Sequence, residues 1–290
     1  MSILVGSTSQ VAVLGITGRQ GSFHTRLMLQ EGTNIVAGVT PGKGGKVFEG
    51  IPVYDSVLEA RLAQDINTCI AFVPPAAATR SILDAIDAGI ELICAITDGI
   101  PIHDMLKIRA CLKRTPARLI GPNTPGIITP RQAKLGIMPS SAYKPGCVGV
   151  MSRSGSLSYE VCYELTKAGL GQTTAIGIGG DRITGISFAE LIPLFEEDPD
   201  TRGLAILGEI GGIAEERAAA VIKEQCSKPV VAIMAGKTAP AGKAMGHAGA
   251  IVTQGKGTFD SKVDAFRDAG VCVVHTPKDL VKVLAAKLGL

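Results

Sequence analysis

The sequence has no tryptophan, and aromatic residues make up only 4% of it. Charged residues are 19%, below the ~25% usual in soluble chains. Both scarcities exclude functions. A single-stranded nucleic-acid surface needs stacking rings beside clustered Lys and Arg, whereas the net charge here is +3 and dispersed. No polybasic run suggests a membrane surface. No apolar run approaches the ~20 residues of a membrane span. The opening MSILVGSTSQ has neither a basic n-region nor an apolar h-region, so no secretory leader is expected. Cysteines at 69, 94, 111, 147, 162, 226 and 272 are scattered, odd in number and never spaced CxxC. Several sit in apolar runs such as TCIAFV and LICAIT, so a reduced, cytoplasmic chain is expected. Histidine spacings of a metal site and the Walker A spacing are missing as well, and no metal site is expected.

What is abundant is glycine, 36 residues, in a chain that is 46% hydrophobic. That apolar content is too high for disorder, and the glycines follow no G-X-Y period. A length of 290 residues predicts one large domain or two ordinary ones at ~100–200 residues each. In the first half, apolar runs at 11–16, 35–40, 68–73, 91–96 and 118–121 read as strands. Helical patterns lie between them at 21–30, 77–88 and 103–112. The segment GPNTPGIITPRQ (121–132) breaks this rhythm and is the best boundary. The alternation resumes with strands at 148–151, 174–178, 204–208, 230–234 and 271–274. Helices follow at 157–168, 188–196, 215–225, 260–268 and 278–288. Unbroken apolar strands alternating with amphipathic helices predict buried parallel sheets. The fold class expected is α/β, two doubly wound domains in tandem, over 1–125 and 126–290.

In such sheets ligands bind beyond the carboxyl ends of the strands. The glycines concentrate there, in GITGRQG, TPGKGG, SRSGS, GIGGD, GEIGG and AGKTAPAGKAMGHAGA. The first loop, Gly15 to Gly21, is GxxGxxG rather than the dinucleotide GxGxxG. It fits either a phosphate cradle at a helix N-terminus or a tight strand–helix turn. Residues 34–47 hold no acidic residue for a ribose 2′-hydroxyl. Instead the second strand runs into Lys43 between glycines, which suits an extra phosphate such as the 3′-phosphate of coenzyme A. This argues against a nicotinamide-dependent oxidoreductase, the reading that the alternation alone would favour.

The second half offers complementary groups. Ser154, Gly155 and Ser156 begin a helix after a strand, either as an anion cradle or as an ordinary serine cap. Glu209 ends a strand beside Gly211 and Gly212, as a catalytic or a helix-capping carboxylate. His247 has only small neighbours in GHAGA. A lone histidine is most often structural. Here the missing bulk lets an anionic group approach, and a neutral imidazole is a competent nucleophile toward phosphorus. Glu209 could hold its other nitrogen. His24, His103 and His275 offer no such setting.

Taken in order, QVAVLGITGRQGSFH, AGVTPGKGG, GPNTPGIITP, SRSGSLSYE, GIGGD, GEIGG and MGHAGAI resemble the α subunit of the succinyl-CoA synthetase (succinate–CoA ligase) family over essentially the whole chain. The resemblance implies an N-terminal Rossmann-like CoA-binding domain and a C-terminal flavodoxin-like ligase domain. It implies that Thr17, Gly18, Arg19, Gln20, Lys43, Ile96, Thr97 and Asp98 contact CoA. It implies that His247 is a phosphohistidine paired with Glu209, that Ser154, Gly155 and Ser156 hold phosphate, and that Tyr159 lies near the acid substrate. It further implies a β partner with an ATP-grasp domain that binds ATP or GTP and Mg²⁺, in an αβ or α2β2 assembly. The acid expected is succinate, with citrate or malate as alternatives, and a non-catalytic CoA-binding subunit is the remaining reading. The chain departs from the family pattern at Asp98, Thr124, Ser156, Arg182 and Gly242-Lys243-Ala244. Arg182 replaces a proline, either as a contact to another carboxylate or as a surface change.

Overall fold

The structure is a computed structural model that describes residues 2–240, 246–252 and 257–290. By contacts the chain forms two compact units. One is Leu4–Met138 with Ile183–Gly185; the other is built from residues 2–3, Pro139–Arg182 and Ile186–Leu290.

The first unit runs β1 (Val11–Leu14), α1 (Arg19–Gln30), β2 (Ile35–Val39), β3 (Val47–Phe48), β4 (Ile51–Tyr54), α2 (Val57–Ala63) and β5 (Thr68–Ala71). It continues through α3 (Pro75–Asp87), β6 (Leu92–Ala95), α4 (Ile102–Leu112), β7 (Arg118–Ile120), β8 (Gly126–Thr129) and β9 (Ala133–Gly136). Its main sheet has the order β3-β4-β2-β1-β5-β6-β7. All neighbours are parallel except the short antiparallel β3–β4 pair. Every residue of β1, β5 and β6 is buried. That requires cover on both faces and explains why these strands read as continuous apolar runs. The core joins alanines of the strands, such as Ala12, Ala37, Ala71 and Ala95, to Ile82 and Ile86 of α3 and Ile108 of α4. Small strand residues let helices pack close, so the core fills without rings.

Three elements between 47 and 63 go beyond the expected pattern: β3, β4 and α2. They are short, and Val47, Leu58 and Leu62 are exposed, so they present no strong apolar period. Ser56 caps α2, accepting from the Glu59 amide at 3.2 Å. Part of the glycine- and proline-rich segment 121–132 is also a strand. β8 pairs antiparallel with β9 through Gly126↔Gly136, and both glycines adopt positive φ where a Cβ would strike the facing backbone.

The second unit contains β10 (Pro145–Ser152), α5 (Gly155–Lys167), β11 (Gln172–Gly177), α6 (Phe188–Glu197), β12 (Gly203–Glu209) and α7 (Ala214–Gln225). It ends with β13 (Val230–Ala235), α8 (Phe259–Asp268), β14 (Cys272–Val274) and α9 (Pro277–Leu288). The order β14-β13-β12-β10-β11 is parallel throughout. Helix starts follow their capping chemistry. Ser187 and Glu190 form a reciprocal box at α6. Thr276 caps α9, with Pro277 at its first position and Gly289 in the left-handed region at its end. The α/β class with two parallel-sheet units is therefore as expected from the alternation of patterns. Among the described residues, no helix is long and apolar enough to cross a membrane. All seven cysteines are free, and burial pushes the thiol pKa of Cys69, Cys94 and Cys162 up, which keeps them protonated and inert.

Candidate functional site

Each unit gathers its distinctive residues where the strand order reverses, the usual ligand position in an open parallel sheet. In the first unit the reversal lies between β1 and β5. A cavity of about 340 Å³ opens there, lined by Gly15, Thr17, Gly18, Thr40, Pro41 and Phe72 among others. The three glycines of GITGRQG have separate reasons. Gly15 has φ +81°, and a Cβ on it would come 2.6 Å from the Phe72 carbonyl oxygen. A Cβ on Gly21 would come 2.1 Å from the Gly15 carbonyl oxygen. Gly18 is the N-cap of α1 and has no side chain to cap it. The first turn, with Arg19 and Gln20, holds no acidic residue, so its amides and the helix dipole favour an anion.

Lys43 is exposed on a loop held by Asp55. The Lys43 and Gly44 amides both donate to Asp55 Oδ1 at 2.9 Å. These amides hold the Asp55 carboxyl below the usual carboxylate pKa. Ile96, Thr97 and Asp98 follow β6 at the same end of the sheet. The Thr97 hydroxyl donates to the Val73 carbonyl at 2.6 Å, and Asp98 is exposed. Of the residues expected to contact CoA, Thr17 and Gly18 line the cavity. Arg19, Gln20, Lys43, Ile96, Thr97 and Asp98 are not among its lining residues. Asp55 carried no sequence signal, being only the second acidic residue, after Glu49, beyond the lysine loop.

In the second unit the reversal lies between β10 and β12. β10 ends at Ser152, opposite Leu207 of β12. The Arg153 amide continues the ladder to the Leu207 carbonyl at 3.0 Å. Glu209, the last residue of β12, is 5% exposed. Its two oxygens face different partners. Arg153 Nε lies 3.0 Å from Oε1 as an ion pair, and His247 Nδ1 lies 2.7 Å from Oε2. Arg153 also donates from Nη2 to the Asp181 carbonyl at 3.0 Å. The bond to Glu209 raises the His247 pKa above its ordinary value and outweighs the opposing effects of desolvation and Arg153. A neutral ring donating from Nδ1 carries its lone pair on Nε2.

The glycines around His247 have separate neighbours. The glycine pressed against the ring is Gly180 of GIGGD, where a Cβ would come 2.6 Å from the ring. Gly249 instead makes room for Arg153, whose Nη2 would sit 2.2 Å from a Cβ there. The Gly249 amide donates to the Gly180 carbonyl at 3.0 Å, joining the two loops. Arg182 donates from Nε to the Ala248 carbonyl at 3.1 Å, so it steadies the histidine loop. Residues 241–245, with the variant Gly242-Lys243-Ala244, lie outside the described residues.

α5 begins at Gly155, two residues before its expected start, because Ser154 is the cap: its hydroxyl accepts from the Leu157 amide at 3.3 Å. Ser156 is exposed and Tyr159 half-buried on α5; burial raises the Tyr159 pKa. Sequence reasoning assigned no role to Arg153 or Gly180, although both stand in quoted motifs. An arginine ending an apolar strand was the available signal for the first.

The fold and these two clusters define an α/β chain of the acid–CoA ligase class. Residues 7–99 match the family described as CoA binding domain, and residues 151–272 match CoA-ligase. The chain is 54% identical to succinate–CoA ligase [ADP-forming] subunit alpha 2 of Archaeoglobus fulgidus, over 98% of this chain and 99% of that protein. It is 50% identical to the alpha subunit of Aquifex aeolicus, over 98% and 94%. Among solved structures it resembles Methanosaeta concilii ATP citrate lyase in complex with (3S)-citryl-CoA, with TM-score 0.88 and 26% identity. That match covers 99% of this chain, which spans half of the citrate lyase chain. The chain belongs to the family of α subunits of ADP-forming succinate–CoA ligases.

Proposed function

We propose that this chain is the α subunit of an ADP-forming succinate–CoA ligase that works through a phosphorylated His247. The observation that carries the reading is the His247–Glu209–Arg153 chain, with the ring packed on Gly180. Residues 1–125 take the CoA-binding role and 126–290 the phosphoryl-transfer role. In the acid-activating direction, His247 Nε2 attacks the γ-phosphorus of ATP held by a β partner with an ATP-grasp domain, and ADP leaves. Glu209 accepts the Nδ1–H bond throughout and stabilises the charge that the ring gains. A succinate carboxylate oxygen then takes the phosphoryl group from His247, giving an acyl phosphate and restoring the imidazole. The CoA sulfur attacks the acyl carbon, and inorganic phosphate leaves.

CoA is held by the α1 N-terminus with Thr17, Gly18, Arg19 and Gln20, by Lys43 toward an outer phosphate, and by Ile96, Thr97 and Asp98. Gly155 and Ser156 at the start of α5 face the phosphoryl group, with Ser154 committed to the cap, and Tyr159 lies toward the acid. Nucleotide and Mg²⁺ belong to the partner in this reading; among the described residues no three His, Cys, Asp or Glu side chains gather to hold a metal. Assembly as αβ or α2β2 in a cytoplasmic setting completes the proposal.

The test is co-expression with the β partner and incubation with γ-labelled ATP. The expected label is acid-labile, base-stable and absent in His247→Ala. Acid-stable label, or full labelling of His247→Ala, overturns the reading. Discharge of the label by succinate, rather than by malate or citrate, fixes the acid.

A further inference from the structure

Behind Glu209 lies a second buried ionic group that the reaction above does not use. Glu215, in the first turn of α7, and Lys262, on α8, are each fully buried, and Lys262 Nζ bonds Glu215 Oε2. Lys262 also reaches Glu216 Oε2 at 3.1 Å. The other oxygen of Glu215 is turned toward the strand: the Glu209 amide donates to Oε1 at 3.2 Å. The sheet explains why that amide needs a partner. β10 pairs with β12 only as far as Ser152↔Leu207. Two residues on, the Glu209 amide points to the same side, where β10 has already turned into Arg153. A buried amide left without a partner loses its hydrogen bond to water with no return; the Glu215 carboxylate fills the gap. Gly208 makes the approach possible, since a Cβ on it would come 2.8 Å from Glu215 Cγ.

We propose that the Lys262–Glu215 pair is a positioning device, which holds the end of β12 so that the Glu209 carboxylate meets His247 Nδ1. The inference rests on the phosphohistidine reading of His247. Lys262 neutralises the buried Glu215 carboxylate, the Glu215 oxygen fixes the Glu209 backbone, and the Glu209 side chain fixes the ring. The alternative role for Glu215 is purely structural, a carboxylate at the α7 N-terminus neutralised by a lysine.

Two double variants in the complex with its β partner separate these roles. Lys262→Met with Glu215→Gln removes both charges and keeps an oxygen for the Glu209 amide. Lys262→Met with Glu215→Leu removes the charges and the acceptor. Single-turnover labelling from ATP is expected near the wild-type rate in the first and about tenfold slower in the second, with KM for CoA unchanged in both. Equal rates in the two variants, whether both normal or both slow, overturn the proposal. If the leucine variant does not fold, Lys262→Met with Glu215→Met serves instead, because it removes the charges and the oxygen acceptor while keeping an unbranched side chain of similar length. Slowed labelling with unchanged KM for CoA supports the proposal, and wild-type labelling overturns it. Failure of the wild-type complex to label at all would instead overturn the phosphohistidine reading itself.

Discussion

The two units place their candidate residues at the same topological point, a reversal of strand order, yet build there with different materials. The first unit offers backbone. Gly15 and Gly21 let the chain close tightly, Gly18 leaves a helix start uncapped, and Asp55 takes up loop amides. The second unit offers buried side-chain charge, with Glu209 between Arg153 and His247. A backbone site recognises a polyanion that stays the same through the reaction. A charged side-chain site serves a group whose protonation and bonding change. The first should therefore fail by distortion and the second by loss of charge.

The largest effect is expected from Glu209→Gln. It removes the charge that favours imidazolium and strands the Arg153 guanidinium in a buried place, where breaking such a pair costs about 3–5 kcal/mol. Labelling of His247 should fall roughly 100-fold. The pH dependence has a definite sign. Phosphorylation needs the neutral ring, so the wild-type rate rises as pH passes through a His247 pKa held above about 6.5. In Glu209→Gln that midpoint should move to lower pH, measured as labelling rate against pH. The same linkage makes the Glu209–His247 bond stabilise the fold most below the ordinary histidine pKa, fading as pH rises through the raised one. An unmoved midpoint would remove the charge-based account of the second unit.

Gly21→Ala tests the backbone unit. The added methyl would lie 2.1 Å from the Gly15 carbonyl oxygen, an overpacking that costs about 1–3 kcal/mol. KM for CoA should rise and the melting temperature fall, while ATP labelling of His247 proceeds at its normal rate once the complex is folded. Slowed labelling with unchanged CoA binding would reverse the division of labour.

How much of this was legible beforehand follows the same division. Continuous apolar strands made the parallel sheets readable, and the glycine clusters marked the strand-end loops. The 47–63 elements were not readable, because β3, β4 and α2 are short and present exposed Val47, Leu58 and Leu62. From the residues themselves His247 and Glu209 could be paired only as a possibility of chemistry, since 38 positions separate them, and it was the family resemblance that joined them. Gly180 could not be assigned to the ring, because nothing in GIGGD states which side chain will press on it. Spatial neighbours from separate loops are fixed by the sheet order, which the pattern of one strand does not encode.

A smaller effect is expected at Asp55. Asp55→Ala frees the Lys43 and Gly44 amides to water and loosens the lysine loop. KM for CoA should rise about fivefold, whereas Asp55→Asn, which keeps an acceptor, should stay near wild type. Dephospho-CoA, lacking the 3′-phosphate assigned to Lys43, should bind Asp55→Ala and wild type alike. Because the amides depress the Asp55 pKa, this anchor persists at neutral pH and is lost only as acid brings the pH down through that lowered value. Equal losses for CoA and dephospho-CoA would separate the lysine loop from phosphate recognition.

Arg182→Ala should have the smallest effect, and it limits the charge argument. Arg182 belongs to the side-chain-rich unit and stands close to the histidine in the chain of contacts, but it is exposed. Its Nε donates to the Ala248 carbonyl at 3.1 Å. Water can replace an exposed donor at little cost, so labelling should slow about twofold at most. The relative kcat/KM for succinate, malate and citrate should not change. A shift of that ratio toward or away from citrate would make Arg182 a contact to the acid. Charge in the second unit would then act at the surface as well as in the buried Arg153–Glu209 pair. An unchanged ratio leaves burial, rather than charge as such, as what distinguishes the residues that act on His247 from those that only steady its loop.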